Sequence, residues 1–350
     1  MKNTLDPRRR SLCFGALASS LAMPHLIAHA QTAPVKLRYQ LDWRYEAGVT
    51  PYVVALRKGY FAQEGLDVTL NVGNGASATV NRLATGVADM GTGDMNSLAE
   101  FAGNNQQVSA QAVMLMYAQT PAAVFSLKKT GIRRPADLRG RQLAAPVNDA
   151  ARKIFPLFAA SNGLDATKDV SWLSVEPALR ETMLARGQVD AITGYVASGL
   201  ISLQKLGVAS GDIEVMRFAD YGVNLYGNAI MASTGFIREQ PAAVAACLRA
   251  VARALRDILA DREMAIAMLK QQDSLVDPNI EMQRLEIILN QEIGSPAVRR
   301  DGIGNFDLAQ YQQGVDALAR VLAFKTVPSA ANLINTSFLP SAEERRVFKV

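Results

Sequence analysis

Histidine is nearly absent from this 350-residue chain, and its two copies, His25 and His29, both fall within the first thirty residues. Cysteine is as scarce: Cys13 lies in the same stretch, and Cys247 stands alone beyond it. A chain with one cysteine after residue 30 forms no intramolecular disulfide. Without imidazole it also builds no His-based triad and no His- or Cys-rich zinc site. Carboxylates, Lys and Tyr remain for proton transfer, but the usual general base is missing. No excess of charge replaces these groups. The formal charge is +5, of which Lys2, Arg8, Arg9 and Arg10 against Asp6 supply +3, leaving +2 after residue 30. That gives no basic face for nucleic acid. Nor is there a later apolar run of the roughly 20 residues a membrane-spanning helix needs.

What stands at the N-terminus is a leader pattern. Arg8-Arg9-Arg10 precedes an apolar stretch, Leu12 to Ile27, which ends in Ala28-His29-Ala30. A basic region, a short apolar region and an A-x-A end predict a secretory signal peptide over residues 1–30. Arg9-Arg10 fits a twin-arginine route and the rest fits an ordinary Sec route. Cys13 is not expected to carry lipid, because the apolar run follows it instead of preceding it.

Beyond the leader, strands and helices alternate. Val35–Leu41, Val68–Val72, a short strand led by Asp89 and Met90, and Val108–Tyr117 read as strands. Thr50–Gly59, with Pro51 at its first position, Ser77–Thr85 and Met95–Ala102 read as helices between them. This predicts an α/β fold with parallel crossovers. A quasi-repeat sharpens it: Leu83-Ala84-Thr85-Gly86-Val87-Ala88-Asp89 matches Leu184-Ala185-Arg186-Gly187-Gln188-Val189-Asp190. Upstream of each stands an echo, Gly65-Leu66-Asp67 and Gly163-Leu164-Asp165. Each copy reads as a helix ended by a left-handed Gly and followed by a buried strand, so two related α/β halves are expected. The helical periodicity of Pro241–Lys270 and Ile280–Glu292 makes the last hundred residues packing elements of one half.

Four stretches carry a family resemblance. They are Leu41-Asp42-Trp43 with Pro51–Ala55, Lys58-Gly59-Tyr60-Phe61 and Glu64–Val68; Gly73–Ser77 with Leu83–Gly91; Pro135–Arg141; and Leu184–Gly194. In this order they resemble the periplasmic solute-binding proteins that serve ABC importers of alkanesulfonates, taurine, nitrate and thiamine-pyrimidine precursors. The resemblance implies a type II periplasmic binding protein fold, with two α/β lobes joined by two crossovers and a ligand cleft between them. Lobe 1 would combine residues 31–118 and 229–350, and lobe 2 would be 119–228, closing on ligand by hinge motion. It further implies a monomer that hands its solute to a membrane permease, with no cofactor, no metal and no nucleic acid. Eukaryotic relatives synthesise the thiamine pyrimidine using a histidine and a cysteine-rich motif. This chain has neither after residue 30, so catalysis is not expected. A sensor role, presenting ligand to a receptor, would use the same fold and cleft.

Ligands of open α/β sheets sit beyond the carboxyl ends of the strands, and that rule selects candidates. After the first strand stand Trp43, Arg44, Tyr45 and Glu46, an aromatic floor with polar tips. After the second comes Gly73–Ser77, with Asn74, Gly75 and Ser77 opening a helix whose free N–H groups suit an acceptor. After the third, Asp94 either caps the next helix or accepts from a ligand, with Asn96 beside it. Tyr117 lies at the first crossover. Asn148, Glu176 and Tyr195 follow strands of the second half, and Asn224 lies near the second crossover. The aromatic candidates imply a small planar solute, and Glu46, Asp94 and Glu176 suit its ring N–H or amino donors. A thiamine-pyrimidine precursor fits that pattern; an aromatic carboxylate or alkanesulfonate held by helix N-termini and Arg44 remains an alternative.

Overall fold

The computed structural model describes residues 33–105 and 108–348. The expected leader, residues 1–30 with Cys13, lies outside the described residues. Among those described, no helix is long and apolar enough to cross a membrane.

Among the described residues, ten strands form two five-stranded sheets. The first contains β1 (Val35–Gln40), β2 (Leu66–Asn71), β3 (Met90–Asp94), β4 (Ala110–Leu115) and β10 (Asn228–Ser233), in the order β2-β1-β3-β10-β4. The second contains β5 (Ala122–Leu127), β6 (Arg141–Ala145), β7 (Val170–Ser174), β8 (Ala191–Tyr195) and β9 (Ile213–Arg217), in the order β7-β6-β8-β5-β9. The chain therefore passes between sheets twice, from Leu115 to Ala122 and from Arg217 to Asn228.

Parallel crossovers are only part of the picture. β1 runs parallel to β2 and β3, and β6 parallel to β7 and β8. The strand that enters each sheet after a passage is antiparallel to both neighbours: β5 between β8 and β9, and β10 between β3 and β4. Period-two patterning could not show this. All residues of β5 are buried, and a strand covered on both faces reads the same in either direction.

The quasi-repeat proves to be a latch used twice. Helix Ala76–Ala84 ends before Gly86 (φ 71°), and helix Arg180–Ala185 before Gly187 (φ 68°). The aspartates that follow do the same work in each lobe. Asp89 accepts the backbone N–H of Arg38 on β1 (2.8 Å), and Asp190 that of Gln142 on β6 (2.8 Å). Each also pairs with a guanidinium of that strand, Arg38 or Arg141. A side-chain carboxylate thus continues the ladder where the incoming strand begins.

The helical C-terminal region packs mainly on the first lobe. Helix Pro241–Ala260 buries Val244, Cys247, Leu248, Val251 and Leu255 against helix Thr50–Arg57. It does not stay there. The segment Pro278–Ile287 with its π-helical continuation Ile288–Ile293 reaches helix Val196–Lys205 of the second lobe.

If the latch is the carboxylate–backbone contact, Asp89→Ala should cost about 1–3 kcal/mol. Arg38→Ala, removing an exposed partner, should cost less than about 1 kcal/mol. Urea unfolding midpoints measure both, and equal losses would assign the latch to the ion pair instead.

Candidate functional site

The carboxyl ends of both sheets converge on one cavity between the lobes. The first lobe contributes Asp42, Trp43, Arg44 and Glu46 after β1, Gly75 and Ala76 after β2, and Tyr117 after β4. The second contributes Asp149 and Ala150 after β6, Arg180 before β8, Tyr195 at its end, and Ala197 and Ser198. Ile288 and Glu292 complete the wall from the π-helical turn. About 50 Å³ remains inside, room for about three or four waters.

Contacts between the lobes close this cavity. Gly75, with φ 143°, lies so near the Asn148 backbone that a Cβ would stand 2.1 Å from its carbonyl oxygen. Only glycine permits that approach. Ser198 donates to Glu46 (2.9 Å) and the Ala197 N–H to Glu292 (3.2 Å). The Tyr195 hydroxyl donates to Asn228 (2.8 Å), whose amide donates to Asp42 (2.7 Å). Tyr117 and Tyr195 meet edge to face at 6.3 Å. The guanidinium of Arg180 lies 5.3 Å from the Trp43 ring centre and that of Arg44 5.6 Å.

Four carboxyl groups line the cavity, and their electrostatics divide them. Asp149 pairs with Arg180 (3.0 Å) and Glu46 with Arg44 (2.6 Å). Burial raises the Glu46 carboxyl, but Arg284 and then Arg44 outweigh it and hold the group below its ordinary value. Asp42 and Glu292 have no cation within ion-pair distance among the described residues. Burial pushes Asp42 up to about 6 and Glu292 to about 7. On the donor side, among the described residues the Trp43 indole N–H and the Arg44 Nε have no hydrogen-bond partner, and helix Ala76–Ala84 has no side-chain cap. Among the described residues no group of His, Cys, Asp or Glu is placed to hold a metal ion.

Of the strand-end candidates, Trp43, Glu46, Gly75, Tyr117 and Tyr195 line this cavity. The others sit elsewhere. Tyr45 accepts from Gln272 (3.1 Å) and lines a neighbouring groove. Asn74, Glu176 and Asn224 are exposed. Ser77 bonds Ser97 (2.6 Å) and, with Asn148, faces a second groove. Asp94 caps helix Met95–Asn105 through the Ser97 N–H (2.8 Å), and Asn96 bonds Asp94 (3.0 Å) and the Tyr226 carbonyl (2.8 Å). The strand-end rule passes over Asp42, although it directly follows Leu41. Arg180, Asn228, Ile288 and Glu292 carry no comparable sequence signal, because tertiary packing brings them in.

Two expectations follow. Gly75→Ala should weaken solute binding more than about tenfold by obstructing closure, and should also cost about 1–3 kcal/mol of stability through the positive φ of 143°; calorimetric titration beside urea unfolding reads both. The second concerns pH. Asp42, Asp94 (about 7, from burial) and Glu292 are raised above their unfolded values. Their protonated forms contribute stability that is complete below about pH 4 and lost as the pH rises through 6 to 7. No described histidine titrates in that window. The melting temperature of the unliganded protein should therefore fall between about pH 5 and 8, and fall less in Asp42→Asn/Glu292→Gln. A parallel fall in the double variant would contradict this.

A family model described as NMT1/THI5 like matches residues 46–265. The riboflavin-binding protein RibY of Chloroflexus aurantiacus is 29% identical over 230 residues, 63% of this chain and 62% of that protein. The match thus spans less than two-thirds of that relative. The formylaminopyrimidine-binding protein of Halalkalibacterium halodurans is 24% identical over 257 residues, 72% of this chain and 76% of the relative. Among solved structures, the alkanesulfonate-binding protein SsuA of Xanthomonas axonopodis pv. citri bound to MOPS is similar with a TM-score of 0.68. Its identity is 17%, over 86% of this chain and 98% of that one, a likeness of fold. The two-lobed architecture is that of the periplasmic binding proteins, as the four sequence stretches implied. With more than half of its length matched, the chain belongs to the NMT1/THI5-like family.

Proposed function

We propose that this chain is the extracytoplasmic solute-binding component of an ABC importer, and that it captures a planar nitrogen heterocycle bearing N–H donors, such as a thiamine-pyrimidine precursor. One observation carries the ligand class: of the four carboxyl groups in the cavity wall, Asp42 and Glu292 have no cationic partner among the described residues. A buried carboxyl without a cation favours a ligand that donates hydrogen bonds to it. Although the buried Arg44 Nε has no hydrogen-bond partner among the described residues, both guanidiniums in the wall already face carboxylate counter-charges, Arg44 in Glu46 and Arg180 in Asp149 and Glu181. That weighs against a sulfonate, a nitrate or an aromatic carboxylate. The uncapped helix at Ala76 and the Trp43 N–H supply an acceptor-binding side, so the solute presents both donors and acceptors. Two relatives are named for nitrogen heterocycles.

Residues 31–118 with 229–350 act as one lobe and 119–228 as the other, closing about the two passages. The leader directs export, and the closed form meets a membrane permease. Binding without chemistry is favoured over a pyrimidine-forming enzyme. The described residues contain no histidine, and Cys247 is fully buried in helix Pro241–Ala260 with its thiol pushed up to about 12 by burial.

Thermal unfolding with 4-amino-5-hydroxymethyl-2-methylpyrimidine, MOPS and nitrate tests the ligand class. A true ligand at a hundred times its Kd adds about 2.7 kcal/mol of stability, and Trp43→Ala should weaken it by about tenfold or more. Stabilisation by MOPS or nitrate, with none by the pyrimidine, would refute the reading.

A further inference from the structure

Glu292, which reaches the cavity wall with Ile288 from the π-helical turn, stands apart from the other acids there in its surroundings. It lies beyond the family-matched residues 46–265, in a segment whose periodicity marks it only as packing. It is 6% exposed. One oxygen accepts the Ala197 N–H; the other, Oε2, has no hydrogen-bond partner among the described residues. The nearby cations are turned elsewhere. Arg217 donates to Gln291 (2.7 Å), and Arg284 is held by Glu281 and by Ser202 (3.0 Å). Its remaining charged and titratable neighbours are Asp42 and the Tyr117 hydroxyl.

The backbone explains how it gets there. Residues Ile288–Ile293 form a π-helical turn, a wider coil that recurs at functional positions in helices. The turn sets Ile288 and Glu292 on the cavity wall together, with Gln291 reaching out to Arg217 and Ile293 buried in the core. Because Glu292 already occupies the N-terminus of helix Val196–Lys205, that helix end is closed to an anionic ligand. What it offers the cavity is a bare acceptor.

The geometry points to Glu292 as a specificity-determining residue that, with Asp42, selects solutes carrying an exocyclic amino group on the ring. The inference rests on the heterocycle reading above and goes further, assigning discrimination to a residue outside the matched segment. Ionised, Glu292 accepts from an amino group and repels a carbonyl in the same place, so at about pH 8, where burial no longer keeps it protonated, an oxo-substituted ring of equal shape should be rejected.

Glu292→Gln tests it. The amide still accepts the Ala197 N–H and keeps the side-chain volume, but one oxygen becomes a donor. Calorimetric Kd values are needed for 4-amino-5-hydroxymethyl-2-methylpyrimidine and its 4-oxo analogue, with Gln291→Ala as a control for the contact between lobes. The unmodified protein should prefer the amino compound. Glu292→Gln should lose about 10- to 100-fold on it and change little on the oxo compound, while Gln291→Ala leaves the ratio intact. An unchanged ratio in Glu292→Gln, whether both affinities fall or neither does, overturns the inference while leaving the heterocycle reading standing. Binding of neither compound by the unmodified protein refutes that reading, and the inference with it.

Discussion

Arg180 brings a full positive charge to a place almost closed to solvent, only 1% of the residue being exposed, and the cavity face of the second lobe is arranged around that cost. Its Nε and Nη2 donate to Glu181 (2.9 and 2.6 Å) and its Nη1 to Asp149 (3.0 Å). A buried guanidinium stripped of such partners would cost several kcal/mol, so the three side chains fix one another. Asp149 then uses its other oxygen on the Arg152 N–H (2.8 Å) and the Thr193 hydroxyl (3.2 Å), setting both the start of helix Ala150–Ser161 and the adjoining strand β8. Gly194 is part of the same arrangement, since a Cβ there would lie 2.7 Å from Arg180 Nη1. With its hydrogen bonds spent inside the lobe, the guanidinium keeps a face toward Trp43 across the cleft. A cation over an indole holds the lobes together without consuming a hydrogen-bonding group of the ligand.

A division of labour among the charges follows. Arg180, Arg44 and Arg284 form ion pairs with Asp149, Glu181, Glu46 and Glu281, and this paired set is scaffold. Asp42 and Glu292 are left to the cavity. Asp42 accepts from a neutral amide, that of Asn228 on β10, itself tied to Tyr195 on β8 of the other sheet. A ligand donor reaching Asp42 would act on a hydrogen-bonded chain that already spans both lobes, so recognition and closure share the same atoms.

Much of this fold is legible in the sequence because local chemistry dictates it. The first strand, the helix opening at Thr50-Pro51, the left-handed glycines and the repeated L-A-x-G-x-x-D pattern all follow from short-range rules, and the repeat anticipates a latch used once in each lobe. The site is legible in part. Trp43, Tyr117 and Tyr195 lie where strands end, and strand ends face the cleft. Asp42 and Glu46 show where such reasoning stops. They sit four residues apart on one loop, yet Glu46 is neutralised by Arg44 and by Arg284, while Asp42 pairs with no cation among the described residues. Arg284 and Glu292 arrive from the far end of the chain, and no local pattern reveals which acid they will neutralise or accompany.

The central claim is that a solute is gripped by side chains from two lobes that move relative to each other. Spin labels at Leu206→Cys and Leu275→Cys would sit on opposite lobes, at the rim of the groove beside the cavity. Both positions are exposed, and the native Cys247 is fully buried. Electron–electron double resonance should show a broad distribution of distances without solute and one short, narrow distribution with it. An identical distribution in both states, for a solute shown by calorimetry to bind, would contradict the account.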